Sequence, residues 1–232
     1  MDFYFIRHGQ SQNNLLWEQS GSNDGRVVDP LLTEAGEQQA ELLAAFLAAS
    51  GIRITHLYCS LMERAIATGY RVAEALDLPL HGWLDIHETG GMFLYDKETE
   101  TYIPKPGRTR SYLAATYPRL VLPDEVTEDG WWNRPFEPKE LRAPRARRVL
   151  AQLLASHKSG SDDGVAIVSH GGFFNYIMRA ITGLPERDPE EEHDPVWFAA
   201  NNASIMAITF AEDQRVIRYL NRVDFLPTDL IT

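Results

Sequence analysis

Three short apolar runs, each broken off by residues able to do chemistry, limit what this chain can become. Phe3 to Ile6 runs into Arg7-His8-Gly9-Gln10-Ser11. Ile54 to Cys59 runs into Ser60-Leu61-Met62-Glu63-Arg64. Val165 to Val168 runs into Ser169-His170-Gly171-Gly172. Short apolar runs of this kind read as buried strands. Between them lie helical patterns. Thr33 to Ser50 carries Leu42, Leu43, Phe46 and Leu47 on one side and stops at Gly51. Ser60-Leu61-Met62-Glu63 has the spacing of a capping box and predicts a helix from there to about Leu76. A third helix is expected from Gly172 to Thr182, closed by Gly183 and Pro185. Ala203 to Phe210 and Arg215 to Leu220 read as two further strands around a turn.

Strands that alternate with helices predict an α/β fold, a three-layer sandwich whose central, mostly parallel sheet has helices on both faces. The stretch from about 89 to 140 breaks the rhythm. Residues 89–138 hold six of the 13 prolines and the pair Trp131-Trp132, with no clear period. It reads as an inserted cap segment at the sheet's edge. At 232 residues the expectation is one domain, 1–232, carrying that insertion.

In an open parallel sheet, ligands bind beyond the carboxyl ends of the strands. Arg7, His8, Arg64 and His170 can therefore converge although far apart in sequence. Two arginines and two histidines make an anion site, and helix amino ends opening near Ser60 and Gly172 reinforce it. Gly9, Gly171 and Gly172 leave room for close backbone approach. A phosphoryl group suits this charge: guanidinium pairs with its oxygens, and a neutral imidazole is a competent nucleophile near neutral pH. His8 is the candidate nucleophile, with the arginines and His170 neutralising the transferred group. Glu88, in Ile86-His87-Glu88-Thr89-Gly90-Gly91, is the candidate general acid, kept protonated by the nearby phosphate; Asp85, Glu98 and Glu100 are the alternatives.

Composition narrows the partners. The net charge of −11 argues against a nucleic-acid binder, which needs a positive face, but not against a small phosphorylated substrate held in an arginine-lined cleft. No apolar run approaches membrane-spanning length, and the amino terminus lacks a secretory pattern, so a soluble, cytoplasmic protein with no membrane partner is expected. A homo-oligomer is compatible with the sequence, which does not fix the assembly state. The lone Cys59 excludes an internal disulfide and reads as a small buried apolar side chain.

These residues also carry a resemblance. Arg7-His8-Gly9 with Ser11 and Asn14 resembles the signature of the histidine phosphatase superfamily, the group that includes cofactor-dependent phosphoglycerate mutases and the fructose-2,6-bisphosphatase domain. Leu32-Thr33-Glu34-Ala35-Gly36 with Gln39-Ala40, Ser60 to Ala65 with Thr68, Glu88 with Gly90-Gly91, and Ser169 to Gly172 resemble its other segments. Together they cover residues 3–91 and 164–210. The resemblance implies His8 as the phosphorylated residue, Arg7, Arg64 and His170 as its phosphate pocket, Asn14 and Gly171 as further phosphate contacts, and Glu88 as proton donor. It implies neither metal nor cofactor. Two departures matter. Gln10 stands where the mutases usually carry Glu, and their paired adjacent arginines are missing, the nearest match being Arg108-Thr109-Arg110. Hydrolysis is therefore expected over phosphate transfer, with a mutase as the alternative and a non-catalytic phosphate-ligand binding protein as a further one.

Several residues have plainer readings. His87 next to Glu88 suggests a metal with His8, His170 and His193, but no ligand spacing supports it. Trp131-Trp132 reads as a small core for the insertion, with Arg134 the candidate for a second anionic group. Arg145, Arg147 and Arg148 read as the solvated face of a helix ending near His157. Glu186 to Asp194 reads as a solvent loop.

Overall fold

A computed structural model of the chain describes residues 1–185 and 196–232. Its elements run β1 (Asp2–Arg7), α1 (Gln12–Ser20), α2 (Glu34–Ala49), β2 (His56–Cys59), α3 (Glu63–Leu76), β3 (Leu80–Gly82), β4 (Phe93–Asp96) and β5 (Thr101–Pro104). Then follow α4 (Arg110–Thr116), β6 (Leu120–Val121), α5 (Lys139–Ser156), β7 (Gly164–Ser169), α6 (Gly171–Thr182), β8 (Ile205–Phe210) and β9 (Arg215–Arg222). The main sheet has the order β6-β3-β2-β7-β1-β8-β9, parallel from β6 to β1 and antiparallel through β8 and β9; β4 and β5 form a separate hairpin.

The apolar runs are buried on both faces because helices cover both. Strand alternation sends Tyr4 and Ile6 of β1, with Ala166 and Val168 of β7, toward α2 and α3. Phe3, Phe5, Val165 and Ile167 point the other way, against α5 and α6. Phe5 meets Phe174 at 4.8 Å between ring centroids. Each phenylalanine buried so completely stabilises the fold by roughly 2–3 kcal/mol. Gly69 lets α3 sit close to the sheet, where a Cβ would crowd Leu80, Cys59 and Val168.

The 89–140 segment is more ordered than its sequence suggests. It contains the hairpin β4–β5, the short helix α4 and the edge strand β6, which extends the main sheet beside β3. Trp131 and Trp132 are buried with Met92, Leu113 and Val126 and join the core on the α2–α3 side. Among the described residues no helix is long and apolar enough to cross a membrane. The run Glu186 to Asp194, with His193, lies outside the described residues.

Candidate active site

Strand register places the site. In β1, Arg7 lies level with Ser169 of β7, and in β2, Cys59 lies level with Val168. The next residues out are thus brought together at one carboxyl end: His8 N–H donates to Ser169 O, and Ser60 N–H donates to Val168 O. The His8 and His170 rings meet edge to face, 5.1 Å between centroids. Arg64, in the first turn of α3, donates from Nε to His8 Nε2 at 3.1 Å. Arg7, His8, Asn14, Arg64, Glu88 and Gly171 all line one cavity of about 240 Å³. Sequence reasoning had named these; it had not named Asn13, Arg26, Asn175 or the Trp197–Phe198 wall, which share the cavity. None of those five residues carries a chemical signature of its own in the sequence.

The His8 tautomer is settled by its neighbours. Nδ1 lies 2.6 Å from Gly9 O, which can only accept, and Nε2 faces an arginine N–H, which can only donate. The proton is therefore on Nδ1, and Nε2 keeps its lone pair. Burial first, then the charges of Arg64 and Arg7, hold the His8 pKa well below its usual 6.5. His170 is held low in the same way, by burial and then Arg64 and His8. Its Nε2 contacts Ser60 Oγ at 2.8 Å, while its Nδ1 and Arg7 Nε are buried without a protein partner.

The loop that carries His8 is braced from every side. Gly9 N–H donates to Thr68 Oγ1, and Thr68 in turn donates to Arg64 O one turn back in α3. Asn202 Nδ2 donates to His8 O and to Asn14 Oδ1. Asn14 itself closes a capping box with Ser11 at the start of α1, so its Oδ1 is occupied and its amide nitrogen is the end left for a ligand. A Cβ on Gly9 would strike the backbone of Gly36, and one on Gly36 would strike Gln10 O, which is how closely α2 abuts this loop. Gln10 is buried among Thr33, Glu18 and Gln39 and does not line the cavity.

Glu88 sits at the amino end of α6. One carboxylate oxygen accepts from Thr89 N and Phe173 N at 2.7 and 3.0 Å, and the other from Gly172 N at 3.2 Å. The segment that delivers it is clamped by Arg145. This residue contradicts the solvated-face reading: it is 2% exposed, because its guanidinium is bidentate to Glu137 and also donates to Asp85 O and His87 O. Glu137 completes the clamp by accepting from Gly90 N. Arg147 and Arg148 are exposed, as expected.

Other expectations meet different fates. Helix α3 starts at Glu63, not Ser60, and its Met62 cap makes no side-chain bond. The Ser60 hydroxyl faces His170 instead, and the Glu63 amide is capped by Asp29 from 34 residues upstream. Burial pushes the Asp29 carboxyl up to about 6. Glu63 holds Arg108 and Tyr112, tying the 89–140 segment to α3. Arg134 is ion-paired with Asp85 at 2.8 Å, and Asp85 lines no part of the cavity. Glu98 and Glu100 are exposed and line no part of the cavity. Cys59 is buried, and burial pushes its thiol pKa up. His87 turns from the cavity, donating Nδ1–H to Glu88 O with its ring edge-on to Trp132. Among the described residues the trio with metal-ligating reach is His56, His157 and Asp163, whose ligand atoms lie within 4.8 Å of one another at the other end of the sheet.

The chain belongs to the histidine phosphatase superfamily (branch 1), whose profile matches residues 3–223. In sequence it is 28% identical to a 2,3-bisphosphoglycerate-dependent phosphoglycerate mutase 1 of Latilactobacillus sakei, across 92% of this chain and 91% of that one. It is also 36% identical to 6-phosphofructo-2-kinase/fructose-2,6-bisphosphatase of Gallus gallus, over 37% of this chain and 16% of that protein. In structure it is similar to phosphoserine phosphatase of Entamoeba histolytica in complex with 3-phosphoglyceric acid, with a TM-score of 0.61 and 19% identity over 97% of this chain and 99% of that one. A mycobacterial glucosyl-3-phosphoglycerate phosphatase gives 0.60 and 18%, over 96% and 99%. Of these, the full-length sequence relative is a mutase, the shorter match a kinase/bisphosphatase, and the two structural neighbours phosphatases; at these identities the neighbours establish the shared fold.

Proposed function

We propose that this chain is a metal-independent phosphomonoesterase that works through a phosphohistidine on His8. The observation that carries this reading is the lone pair of His8 Nε2, presented at the wall of a cavity flanked by Arg7 and Arg64. Substrate phosphate takes over the Arg64 N–H from His8, freeing Nε2 to attack. As the N–P bond forms, the ester P–O bond breaks, and Glu88 gives its proton to the leaving oxygen. Water then returns a proton to Glu88 and attacks phosphorus, the N–P bond breaks, and phosphate leaves. Arg7 Nε and His170 Nδ1, two buried nitrogens without protein partners, are the donors this reading assigns to the charge on the equatorial oxygens, His170 from just behind the cavity wall. In this reading Ser60 Oγ, which accepts from Met62 N, donates its own proton to His170 Nε2, and His170 carries its proton on Nδ1 for that purpose. Asn14 and Gly171 complete the phosphate pocket.

Glu88 suits the proton transfer by position. It lines both the phosphate cavity and the neighbouring one, so it stands where the leaving oxygen must pass. The identity of the sequence relatives keeps mutase activity as a second reading. Against it, Arg108 is held by Glu63 and Arg110 by Pro123 O, so the nearest match to the mutases' arginine pair is spent on structure.

The test is phosphate release from 4-nitrophenyl phosphate, together with rapid quenching at alkaline pH to trap the adduct. An alkali-stable phosphoryl label on His8, lost with turnover in His8→Ala and insensitive to chelator, is expected. Label elsewhere, or turnover by the variant, overturns the reading. Isomerisation of 3-phosphoglycerate that depends on a bisphosphoglycerate primer would establish the mutase instead.

A further inference from the structure

A second cavity, of about 330 Å³, opens off the first and shares Asn13, Arg26, Arg64 and Glu88 with it. On the leaving-group side of Glu88 it carries an apolar patch, Val27 and Val28 from one loop and Phe93, Leu94, Tyr95 and Tyr102 from the β4–β5 hairpin, beside the polar Asn23, Asp24 and Lys97. Leu94, Tyr95, Tyr102 and Val27 are solvent-exposed. The rings are already fixed in place. Tyr102 stacks on Phe136 at 3.9 Å with an interplanar angle of 6°, and Phe93 stands edge-on to both at 5.2 and 4.8 Å. Tyr95 packs on Tyr102 at 5.1 Å. A rack of rings held by one another can accept a flat apolar group without first being ordered.

Charge around this wall points the same way. Lys97 is paired with Asp24 at 2.6 Å across the cavity mouth, Arg108 with Glu63, and Arg134 with Asp85. Arg26, whose guanidinium contacts Asn23, borders the phosphate cavity as well as this one. It stands at the junction of the two, within reach of the transferred phosphate, and Lys97, the cation of the far wall, is already paired with Asp24.

Given the hydrolase reading above, on which this rests, we infer that the substrates are phosphomonoesters whose leaving alcohol has an aromatic or similarly flat apolar body and no second phosphate or carboxylate. The hairpin rings and Val27 grip that body while Arg7, Arg64 and His170 hold the phosphate.

Three primary-alcohol esters test this: ethyl phosphate, 2-carboxyethyl phosphate and 2-(1-naphthyl)ethyl phosphate. All three leaving groups are alkoxides, so binding dominates the comparison. With the intact protein, kcat/KM for the naphthylethyl ester should exceed that for the ethyl ester by roughly 50-fold, within the range one pocket contact supplies. The carboxyethyl ester should be no better than ethyl. Tyr95→Ser or Tyr102→Ser should shrink the ratio to within about threefold, as should Val27→Asp on the opposite wall. A preference for the carboxyethyl ester, or a ratio the variants leave unchanged, overturns the substrate class while leaving the hydrolase intact. Should no ester be hydrolysed, the hydrolase reading fails, and calorimetric binding of the matching phosphonates still decides this inference: tighter binding of the naphthylethyl phosphonate supports it, and equal binding rejects it.

Discussion

The central sheet carries two histidine pairs, one at each end. At the carboxyl ends of the strands, His8 and His170 meet at 5.1 Å and 60°. At the amino ends, His56 and His157 meet at 4.4 Å and 61°. The ring geometries are nearly the same, and the surroundings are opposite. The first pair is buried beside Arg7 and Arg64; burial first, and then the charge of Arg64, holds both imidazoles well below the usual histidine range. The second has a carboxylate for company: His157 lies 3.3 Å from Asp163, with Tyr58 on its other nitrogen, and the His157 bond draws the Asp163 carboxyl below its usual value. Residue type and ring packing therefore do not distinguish the proposed nucleophile from a histidine paired with a carboxylate. Neighbouring cations and unpartnered polar atoms do; an adjoining cavity does not, since His157 lines one too.

Substitutions can break this contrast, beginning with the largest effect. His8→Ala should lower kcat by at least about 10⁴-fold, since no other group in the cavity can take its place, whereas His157→Ala should change it less than about threefold. Equal losses in steady-state assays would erase the distinction. Arg64→Met should cost about 10²–10³-fold in kcat/KM by removing a donor to the transferring oxygens. It should also raise the His8 pKa, because one of the charges opposing its protonation is gone; an NMR titration of the ring reads this directly. Arg145→Met leaves Glu137 buried without its partner and should destabilise the fold by about 3 kcal/mol in denaturant titration, lowering kcat through the loosened Glu88 segment.

The smallest effect is a pH slope. His8, His87 and His170 have folded pKa values below the unfolded 6.5, so their contribution is complete above that pH and is lost as pH falls below it. Asp29, raised to about 6, works in the opposite sense, its contribution fading as pH rises from the unfolded value toward 6. Three imidazoles outweigh one carboxyl, so the denaturation midpoint should fall between pH 6.5 and 5. His8→Ala should remove up to about 1.4 kcal/mol per pH unit of that slope. An unchanged slope would mean that the ring is not kept dry.

Much of the first pair's setting was legible from sequence, because three apolar runs and the residues that follow each were enough to predict strands and their crevice. The second pair's setting was not, since Asp163 and His157 come together only through the turn between α5 and β7. Helix α1 escaped notice because it buries no residue and so shows no apolar face. The start of α3 was misplaced because its cap, Asp29, arrives from a distant loop while the local serine is engaged by His170. Arg145 sits among other arginines in a helix, and only the fold reveals that Glu137 has drawn this one inward. The rings facing the leaving group lie in the 89–140 segment, where short elements left no period to read.

Gly172 has a consequence of its own. A methyl group there would occupy the place of a Glu88 oxygen. Gly172→Ala should thus mimic loss of the acid while leaving every charged side chain present. Its signature would be a steeper dependence of rate on leaving-group acidity: phenolic esters, which depart unaided, would be spared, and simple alkyl esters would stall. A position with no functional group at all would then set which bonds the protein can cut.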